Sequence, residues 1–235
     1  MWTGFLASAP VSTVLTERNQ MEFDRVVDQT HAVRAFSHKQ VPDETLCAIV
    51  EEAVNAPTWM NAQERKIYIA TGDKAAAIRK EYAELGAANT PDRGAYKMGH
   101  HSDWSEAAQQ NMAHFQDVAA RTVGDDGSLL GRAENELFDA PAFALLALPP
   151  KPAPWGILDL GALEEAIVLC AANKGVSSIV AYAFIKYPDV LRKYLPIPED
   201  QEVVIGIGLG YPDPDSPLNK IHAGRVPLDD VLTIN

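Results

Sequence analysis

The stretch at residues 140–150 reads APAFALLALPP, a continuous apolar run with prolines at both ends. A run of this length without polar alternation is typical of a strand that is covered on both faces. A second apolar run, EVVIGIGLGYP at residues 202–212, has the same character near the C-terminus. The two runs therefore predict a central, doubly covered strand and a further buried strand.

Helical and alternating patterns surround these two runs. The segment VPDETLCAIVEEAVNAP (41–57) has a proline and acidic residues in its first turn and a second proline that stops it, as is typical of a helix. The segment DLGALEEAIVLCAANKG (159–175) predicts another helix, which we expect Asp159 to cap and Gly175 to end. Further helices are predicted at 21–36, 73–86, 103–121 and 187–195, and extended segments at 66–72 and 176–184.

Helices outnumber strands in this pattern, which predicts the α+β class, with a sheet packed among helices. The 235 residues fit one large domain. Residues 1–20 are interpreted as an N-terminal extension, either disordered or upstream of a natural start at Met21, and residues 21–235 as a single domain. A proline-rich arm from about Asp213 has no core of its own, so we expect it to pack on a partner subunit in a homodimer.

Composition argues against several classes of function. A net charge of −12 does not suit a broad nucleic-acid surface, and no run of 18 apolar residues predicts a membrane span. Cys47 and Cys170 lack CxxC spacing and are expected to be buried, reduced thiols. The triplet at residues 7–9 resembles a signal-peptidase site, but no basic residue precedes it. We therefore expect a cytoplasmic protein that binds small molecules.

The common catalytic motifs are absent from the sequence. GIGLG (206–210) lacks the third glycine of a phosphate-binding loop and does not lead into a helix, so a tightly packed strand is favoured. His100 and His101 are adjacent, which is poor geometry for a metal, and no metal site is predicted. No nucleophile elbow occurs either. We assign no catalytic side chain and expect any enzymatic reactivity to come from a cofactor.

Four stretches, taken in order, resemble the flavin-dependent nitroreductase family. They are THAVRAF (30–36), APTWMNAQERKIYIATG (56–72), the helical segment at 159–178 and the stretch at 187–232, which contains GYP and RVPL. The resemblance runs from about residue 24 to residue 232. It implies a nitroreductase-like fold, in which a central, mostly antiparallel sheet is flanked by helices.

The resemblance also implies FMN as the bound cofactor and NAD(P)H as the electron donor. Arg34 and Arg225 match basic positions near the flavin phosphate, and a guanidinium group can bind phosphate in a bidentate manner. Asn61 and Gln63 match a turn whose amides can reach ring carbonyls and ribityl hydroxyls. The full set of implied cofactor-binding residues is Thr30, His31, Ala32, Arg34, Thr58, Asn61, Gln63, Val180, Ala181 and Arg225.

Each of these assignments has a plainer alternative. Arg34 would otherwise form a surface ion pair, Arg225 would be a solvated tail residue, and the two amides would satisfy backbone groups of their own turn. The sequence also departs from the family pattern. Thr30 stands where the first arginine is expected, and Ala32 replaces a serine, so one charge and one hydroxyl are missing; either Lys220 or His31 would compensate.

The function that the resemblance implies is hydride transfer from NAD(P)H through FMN to nitroaromatic, quinone or similar electrophilic acceptors, in a ping-pong cycle. Trp59, Met60 and Tyr182 are the expected walls for a planar substrate, with core packing as the alternative. A flavin- or ligand-binding protein on the same scaffold is a second hypothesis. A third is a family member with different chemistry, such as oxidation of a bound substrate or reductive dehalogenation.

Overall fold

The computed structural model describes residues 22–97, 99–124 and 126–235, and within them four antiparallel strands form one sheet. The N-terminal extension predicted at 1–20 and the proposed start at Met21 lie outside the described residues. The strands are β1 (Lys66–Thr71), β2 (Ala142–Leu148), β3 (Ser177–Ala181) and β4 (Glu202–Gly210), in the order β1-β2-β4-β3.

Seven α-helices surround this sheet in the described part of the chain, which confirms the α+β class. None of them has the length and hydrophobicity needed to cross a bilayer. The helices are α1 (Phe23–Gln29), α2 (Asp43–Ala53), α3 (Gly72–Ala87), α4 (Glu106–Val123), α5 (Leu129–Asn135), α6 (Pro154–Asn173) and α7 (Pro188–Tyr194).

Strand β2 is buried on both faces, as the apolar run predicts. Alternate side chains of a strand point to opposite faces. Phe143 and Leu145 pack into one core together with Phe184, whereas Ala144 and Leu146 belong to a second core on the other face. All seven residues of β2 are buried. The sheet therefore separates two hydrophobic cores, each closed by helices.

The glycines of β4 allow close packing and do not form a phosphate loop, which confirms the prediction for GIGLG. An added Cβ at Gly210 would lie 2.7 Å from Cδ of Pro141, and one at Gly208 would lie 2.9 Å from Cζ of Phe184. Neither contact is compatible with normal van der Waals packing. Larger side chains here would push the strand away from its neighbours.

The helix predicted at 21–36 is wrong beyond Gln29. Helix α1 ends there, and the backbone of Thr30 is extended. Residues 30–36 instead lie beside β3, where the amide of Val33 donates to the carbonyl of Ser178 at 2.9 Å. Apolar residues at a spacing of three suit a helix or an irregular extended segment, and here the pairing with a distant strand decides between them.

The prediction of buried cysteines is also wrong. Cys47 is exposed and Cys170 is half-buried. Helix α2 turns Leu46, Ile49 and Ala53 into the core, which leaves Cys47 on the outer face. Helical periodicity placed the cysteines near apolar residues but did not fix which face each thiol occupies.

The C-terminal arm begins with a fixed segment and ends with an exposed one. Leu218 and Ile221 are buried, whereas the last ten residues are exposed. The exposed apolar side chains of this end are Val226, Leu228, Val231, Leu232 and Ile234. Packing of this arm on a partner subunit, and the single-domain assignment, stay predictions.

Candidate functional site

The extended segment 30–36 lies between β3 and the C-terminal arm, where one amide side chain adds to its backbone hydrogen bonds. Oδ1 of Asn219 accepts hydrogen bonds from the backbone amides of Arg34 and Ala35, at 2.8 and 3.0 Å. Its Nδ2 donates to the carbonyl of Ala35 at 2.8 Å and to that of Asp213 at 2.9 Å. Asn219 therefore fixes the two ends of the described chain against each other.

The guanidinium group of Arg34 is fixed by contacts of two kinds, with backbone carbonyls and with an aromatic ring. Its Nη1 lies 3.3 Å from the carbonyl oxygens of both Ala32 and Ile221 and can donate to them. Its Cζ lies 5.3 Å from the ring centroid of Phe115 on α4. Burial lowers the pKa of Arg34, and the charge of Glu134 opposes that effect. These contacts hold a half-buried cation in place, and Arg34 is therefore not a simple surface ion pair.

Arg34 and Arg225 line the same cavity, which has a volume of about 670 Å³. Thr30, His31 and Ala32 line it as well, so the structure brings five of the predicted cofactor positions together. The hydroxyl of Thr30 donates to the carbonyl of Val26 at 2.7 Å. In this geometry Thr30 supplies no donor to the cavity, whereas a charged arginine would.

Arg225 is held much more loosely than Arg34. It is exposed, and its Nη1 donates to the carbonyl of the adjacent Gly224 at 2.8 Å. Gly224 has a φ of +70°, a left-handed conformation that favours glycine. The glycine turns the arm so that Arg225 reaches the cavity.

A second cavity, of about 640 Å³, contains the first part of the turn at 58–63. Thr58 and Trp59 line it together with Trp155 and Asp159. The rings of Trp59 and Trp155 are stacked, with centroids 4.8 Å apart and an interplanar angle of 13°. Both indoles are about half exposed, so this apolar surface is open to a ligand or a partner.

Asp159 does not cap a helix, contrary to the prediction. Helix α6 begins at Pro154, five residues earlier than the sequence pattern indicated, so Asp159 lies inside it. Its carboxylate accepts from the backbone amide of Trp59, with distances of 2.9 and 3.1 Å to the two oxygens. Asp159 therefore holds the turn at 58–63 against α6.

The second half of this turn has an unusual backbone. Met60, Asn61 and Gln63 have φ values of 45°, 60° and 49°, in the left-handed region that non-glycine residues rarely adopt. Nε2 of Gln63 donates to Oδ1 of Asn61 at 2.7 Å, and both side chains are exposed. The amides thus bind each other, and Asn61 and Gln63 are not among the lining residues of either cavity.

One face of α6 connects the two cavities. Leu158 and Ala162 line the second cavity, whereas Glu165 and Leu169 line the first. These four residues are spaced by three or four positions, so they share one face of the helix. Leu158 and Leu169 lie about 16 Å apart along the axis, at 1.5 Å per residue. The two groups of predicted residues therefore occupy one side of the molecule.

The remaining predicted residues lie at the end of β3. Val180 is exposed, Ala181 is half-buried, and Tyr182 begins a short 3-10 turn. The hydroxyl of Tyr182 donates to a carboxylate oxygen of Asp92. Burial acts to raise the pKa of Asp92, but hydrogen bonds and Lys97 outweigh it, so the pKa is lowered. Tyr182 is therefore tied to the loop before α4 and does not line either cavity.

Several site residues escaped sequence reasoning. Phe115, Trp155 and His222 line the cavities. Phe115 and Trp155 lie outside the four quoted stretches, whereas His222 lies within the stretch at 187–232 but was not assigned a role. His222 lies three residues before Arg225, and that nearness could have signalled it. Phe115 and Trp155 gave no such signal, because each meets its partner through a contact between distant parts of the chain. The described residues contain no group of three or more potential metal ligands.

Comparison with known proteins identifies a family. The family model described as the nitroreductase family matches residues 27–211. A 4-nitrobenzoate reductase from Nocardioides sp. (strain LMS-CY) is 28% identical over 222 residues, which cover 90% of this chain and 89% of that protein. A 4-nitrobenzoate reductase from Pseudomonas putida is 26% identical, covering 87% of this chain and 91% of that protein.

Solved structures share the fold. The FMN-dependent nitroreductase NfnB from Mycobacterium smegmatis, in complex with NADPH, superposes with a TM-score of 0.83 at 22% identity, covering 90% of this chain and 97% of that one. A nitroreductase with bound FMN from Desulfitobacterium hafniense gives a TM-score of 0.58 at 21% identity, covering 91% and 97%. Because the family match spans most of the chain, the protein belongs to the nitroreductase family.

Proposed function

We propose that the protein is an FMN-dependent oxidoreductase that uses NAD(P)H to reduce nitroaromatic, quinone or similar electrophilic acceptors in the cytoplasm. Family membership supports this reaction class, and the names of its relatives support a nitroaromatic acceptor. One observation carries the proposal: Arg34 and Arg225, from opposite ends of the chain, line a single cavity.

The residues of this cavity fit the phosphate end of FMN. Its volume of about 670 Å³ lies within the usual range for small-molecule sites. Two guanidinium groups can donate to phosphate oxygens, and Arg34 is already oriented by its carbonyl contacts. The backbone of Thr30, His31 and Ala32 is fixed beside them. We assign these five residues to the phosphate and ribityl chain.

The ring end of FMN is assigned to the second group of predicted residues. Thr58, Asn61 and Gln63 lie on the turn that Asp159 holds against α6. The amides of Asn61 and Gln63 are exposed and can exchange their mutual hydrogen bond for contacts with ring carbonyls. Val180 and Ala181 are assigned to the same end of FMN, Val180 through a backbone amide on the side of β3 that faces away from β4.

When bound, FMN would accept hydride from NAD(P)H and pass it to the acceptor. The chain's own residues bind and orient the reactants, and we assign no catalytic side chain. Trp59 and Met60 are exposed and form the proposed walls for a planar acceptor, to which Trp155 adds a stacked indole. The hydroxyl of Tyr182 is bound to Asp92, so we propose that Tyr182 contacts the acceptor only through its ring.

A homodimer is part of the proposal. The face of α6 exposes Leu158, and the last ten residues of the arm expose five apolar side chains. Exposed apolar surfaces of this kind are typical of protein interfaces. We propose that the arm of each subunit packs on its partner. Light scattering after size-exclusion chromatography tests this directly, and a monomer at micromolar concentration contradicts it.

The proposed function is tested by the absorption spectrum and turnover of the purified protein. We expect a flavin band, or its appearance on loading with FMN, followed by oxidation of NADH or NADPH when a nitroaromatic or a quinone is added. A protein that cannot be loaded with FMN contradicts the proposal. A protein that binds FMN but oxidises neither nicotinamide would instead be a binding protein on this scaffold.

A further inference from the structure

Two histidines from opposite ends of the chain meet at the edge of the proposed phosphate site. The ring centroids of His31 and His222 are 5.2 Å apart, with an interplanar angle of 54°. Both residues line the cavity that contains Arg34 and Arg225. Both also line an adjacent cavity of about 440 Å³. The pair therefore forms the border between the two cavities.

The charged side chains that line the cavity sum to zero when both histidines are neutral, and Glu134, outside this lining, adds a negative charge near Arg34. Arg34 and Arg225 contribute two positive charges to the lining, and Asp28 from α1 and Glu165 from α6 contribute two negative ones. The residues of β3 that line the adjacent cavity, Ser177 and Ser178, carry no charge. A phosphate monoester carries a charge of about −1.5 to −2 at neutral pH. Among these lining residues, only a protonated histidine would give the lining a net positive charge, which would favour such an anion.

One nitrogen of the His31 ring already has a hydrogen-bond partner within the protein. Its Nδ1 lies 2.8 Å from the carbonyl oxygen of Gln29, and because a carbonyl only accepts, Nδ1 carries the proton. The other nitrogen, Nε2, can donate to a phosphate oxygen only if the ring gains a second proton. Protonation therefore adds both a charge and a donor to His31.

Two other candidates in the described part of the chain, Thr30 and Lys220, do not supply this charge. The family arginine is replaced by Thr30, whose hydroxyl is bound to the carbonyl of Val26. Lys220, which the sequence offered as a substitute, is not among the lining residues of the cavity. His222 lies two residues further along the same arm and does line it.

We propose that His31 and His222 form a protonatable pair that binds the phosphate of FMN together with Arg34 and Arg225. Binding then takes up protons from solvent, and FMN binds more tightly as the pH falls from 8.5 to 6.5. This inference rests on the proposed function, because it takes FMN as the ligand. His222 becomes a further cofactor-binding residue, and phosphate affinity becomes pH-dependent.

The direction of the pH effect separates the histidines from the ligand. Free phosphate monoesters lose their second proton near pH 6, so the ligand itself becomes more anionic between pH 6.5 and 8.5. With the arginines alone, FMN would bind equally well or more tightly at the higher pH. Tighter binding at the lower pH must therefore come from groups on the protein that gain protons in this range.

The test is a titration of the apoprotein with FMN at pH 6.5, 7.5 and 8.5 and constant ionic strength, followed by flavin fluorescence. We expect binding to be about tenfold weaker at pH 8.5 than at pH 6.5, as for the loss of a charge-assisted contact. His31→Gln and His222→Gln should each flatten the profile and weaken binding at pH 6.5. Lys220→Gln is the matched control on the same arm and should keep the wild-type profile.

Riboflavin, which lacks the phosphate, provides a second control. Its affinity should change little with pH and little between His222→Gln and the wild type. Wild-type FMN binding with a flat profile, or a His222→Gln variant that keeps the full pH dependence, overturns the inference and leaves the proposed function standing. Failure to bind FMN at every pH overturns both. Thermal unfolding of each variant verifies that the fold is intact.

Discussion

Arg34 and Arg225 line the same cavity but are held in different ways. The backbone of Arg34 is fixed by Asn219, and its guanidinium contacts two carbonyls and the ring of Phe115. Arg225 is exposed and contacts the carbonyl of its own neighbour. A side chain that is already ordered loses less conformational entropy on binding than a mobile one. Equal charges should therefore contribute unequally to affinity.

The largest effect is expected for Asn219→Ala. The change removes an acceptor shared by two backbone amides and a donor shared by two carbonyls. We expect a loss of about 3 kcal/mol in the free energy of unfolding, since the amides of Arg34 and Ala35 and the carbonyl of Asp213 lose this partner, whereas the carbonyl of Ala35 keeps the amide of Asp213. Urea denaturation measures it. Asn55→Ala is the control, because the side chain of Asn55 donates to a carbonyl at the exposed end of α2. Equal losses of unfolding free energy in the two variants contradict the role of Asn219.

Arg34→Ala should have the next largest effect, this time on FMN binding. Loss of a pre-oriented cation corresponds to about 2 kcal/mol, or roughly thirtyfold in the dissociation constant. Fluorescence titration with FMN measures it. Arg34→Lys keeps the charge but loses the fork geometry, so it should recover only part of the affinity. An affinity unchanged in Arg34→Ala contradicts the assigned phosphate site.

Arg225→Ala should weaken FMN binding by a smaller amount, about 1 kcal/mol or roughly fivefold. Part of what its charge contributes is offset by ordering an exposed side chain. The loss should shrink further at high salt, because exposed charges are screened. Titrations at low and high salt measure this. A larger loss for Arg225→Ala than for Arg34→Ala would reverse the comparison between the two residues.

The smallest effect is expected for Phe115→Leu. The change removes the ring beside Arg34 but keeps an apolar side chain on α4. Cation–π contacts at partly exposed sites contribute about 0.5–1 kcal/mol. We therefore expect two- to fivefold weaker FMN binding and little change in unfolding. Phe115→Tyr keeps the ring and should bind FMN as the wild type does; equal losses in both variants show that the ring's charge distribution is not involved.

The sequence patterns predicted those parts of the fold that the residue types themselves restrict, such as the buried strands β2 and β4. The unbroken apolar run of β2 can be accommodated only between two cores, and the glycines of β4 have no space for a Cβ. The motif order paired Arg34 with Arg225, and both line one cavity, while their role in binding FMN stays a prediction. In each case the residue type itself restricts the possible environments.

Contacts between distant segments account for what the sequence did not show. The end of α1 depends on the bond from Val33 to Ser178, and the role of Asp159 depends on a turn one hundred residues away. The stacking of Trp59 on Trp155 is of the same kind. Periodicity and propensity describe neighbours along the chain, so they carry no information on such pairs.

The link that Asn219 makes between residue 34 and the C-terminal arm has a consequence for biosynthesis. Chains are made from the N-terminus, and domains begin to fold during synthesis. All four strands and all seven α-helices of the described chain precede Asn219. Much of the sheet and its surrounding helices can therefore assemble on a nascent chain. The cavity itself cannot be complete until translation has passed Arg225. We therefore expect FMN to bind only after the arm has been made, and a premature stop codon between residues 211 and 219 to yield a protein that lacks Asn219 and Arg225 and, with them, the proposed phosphate site.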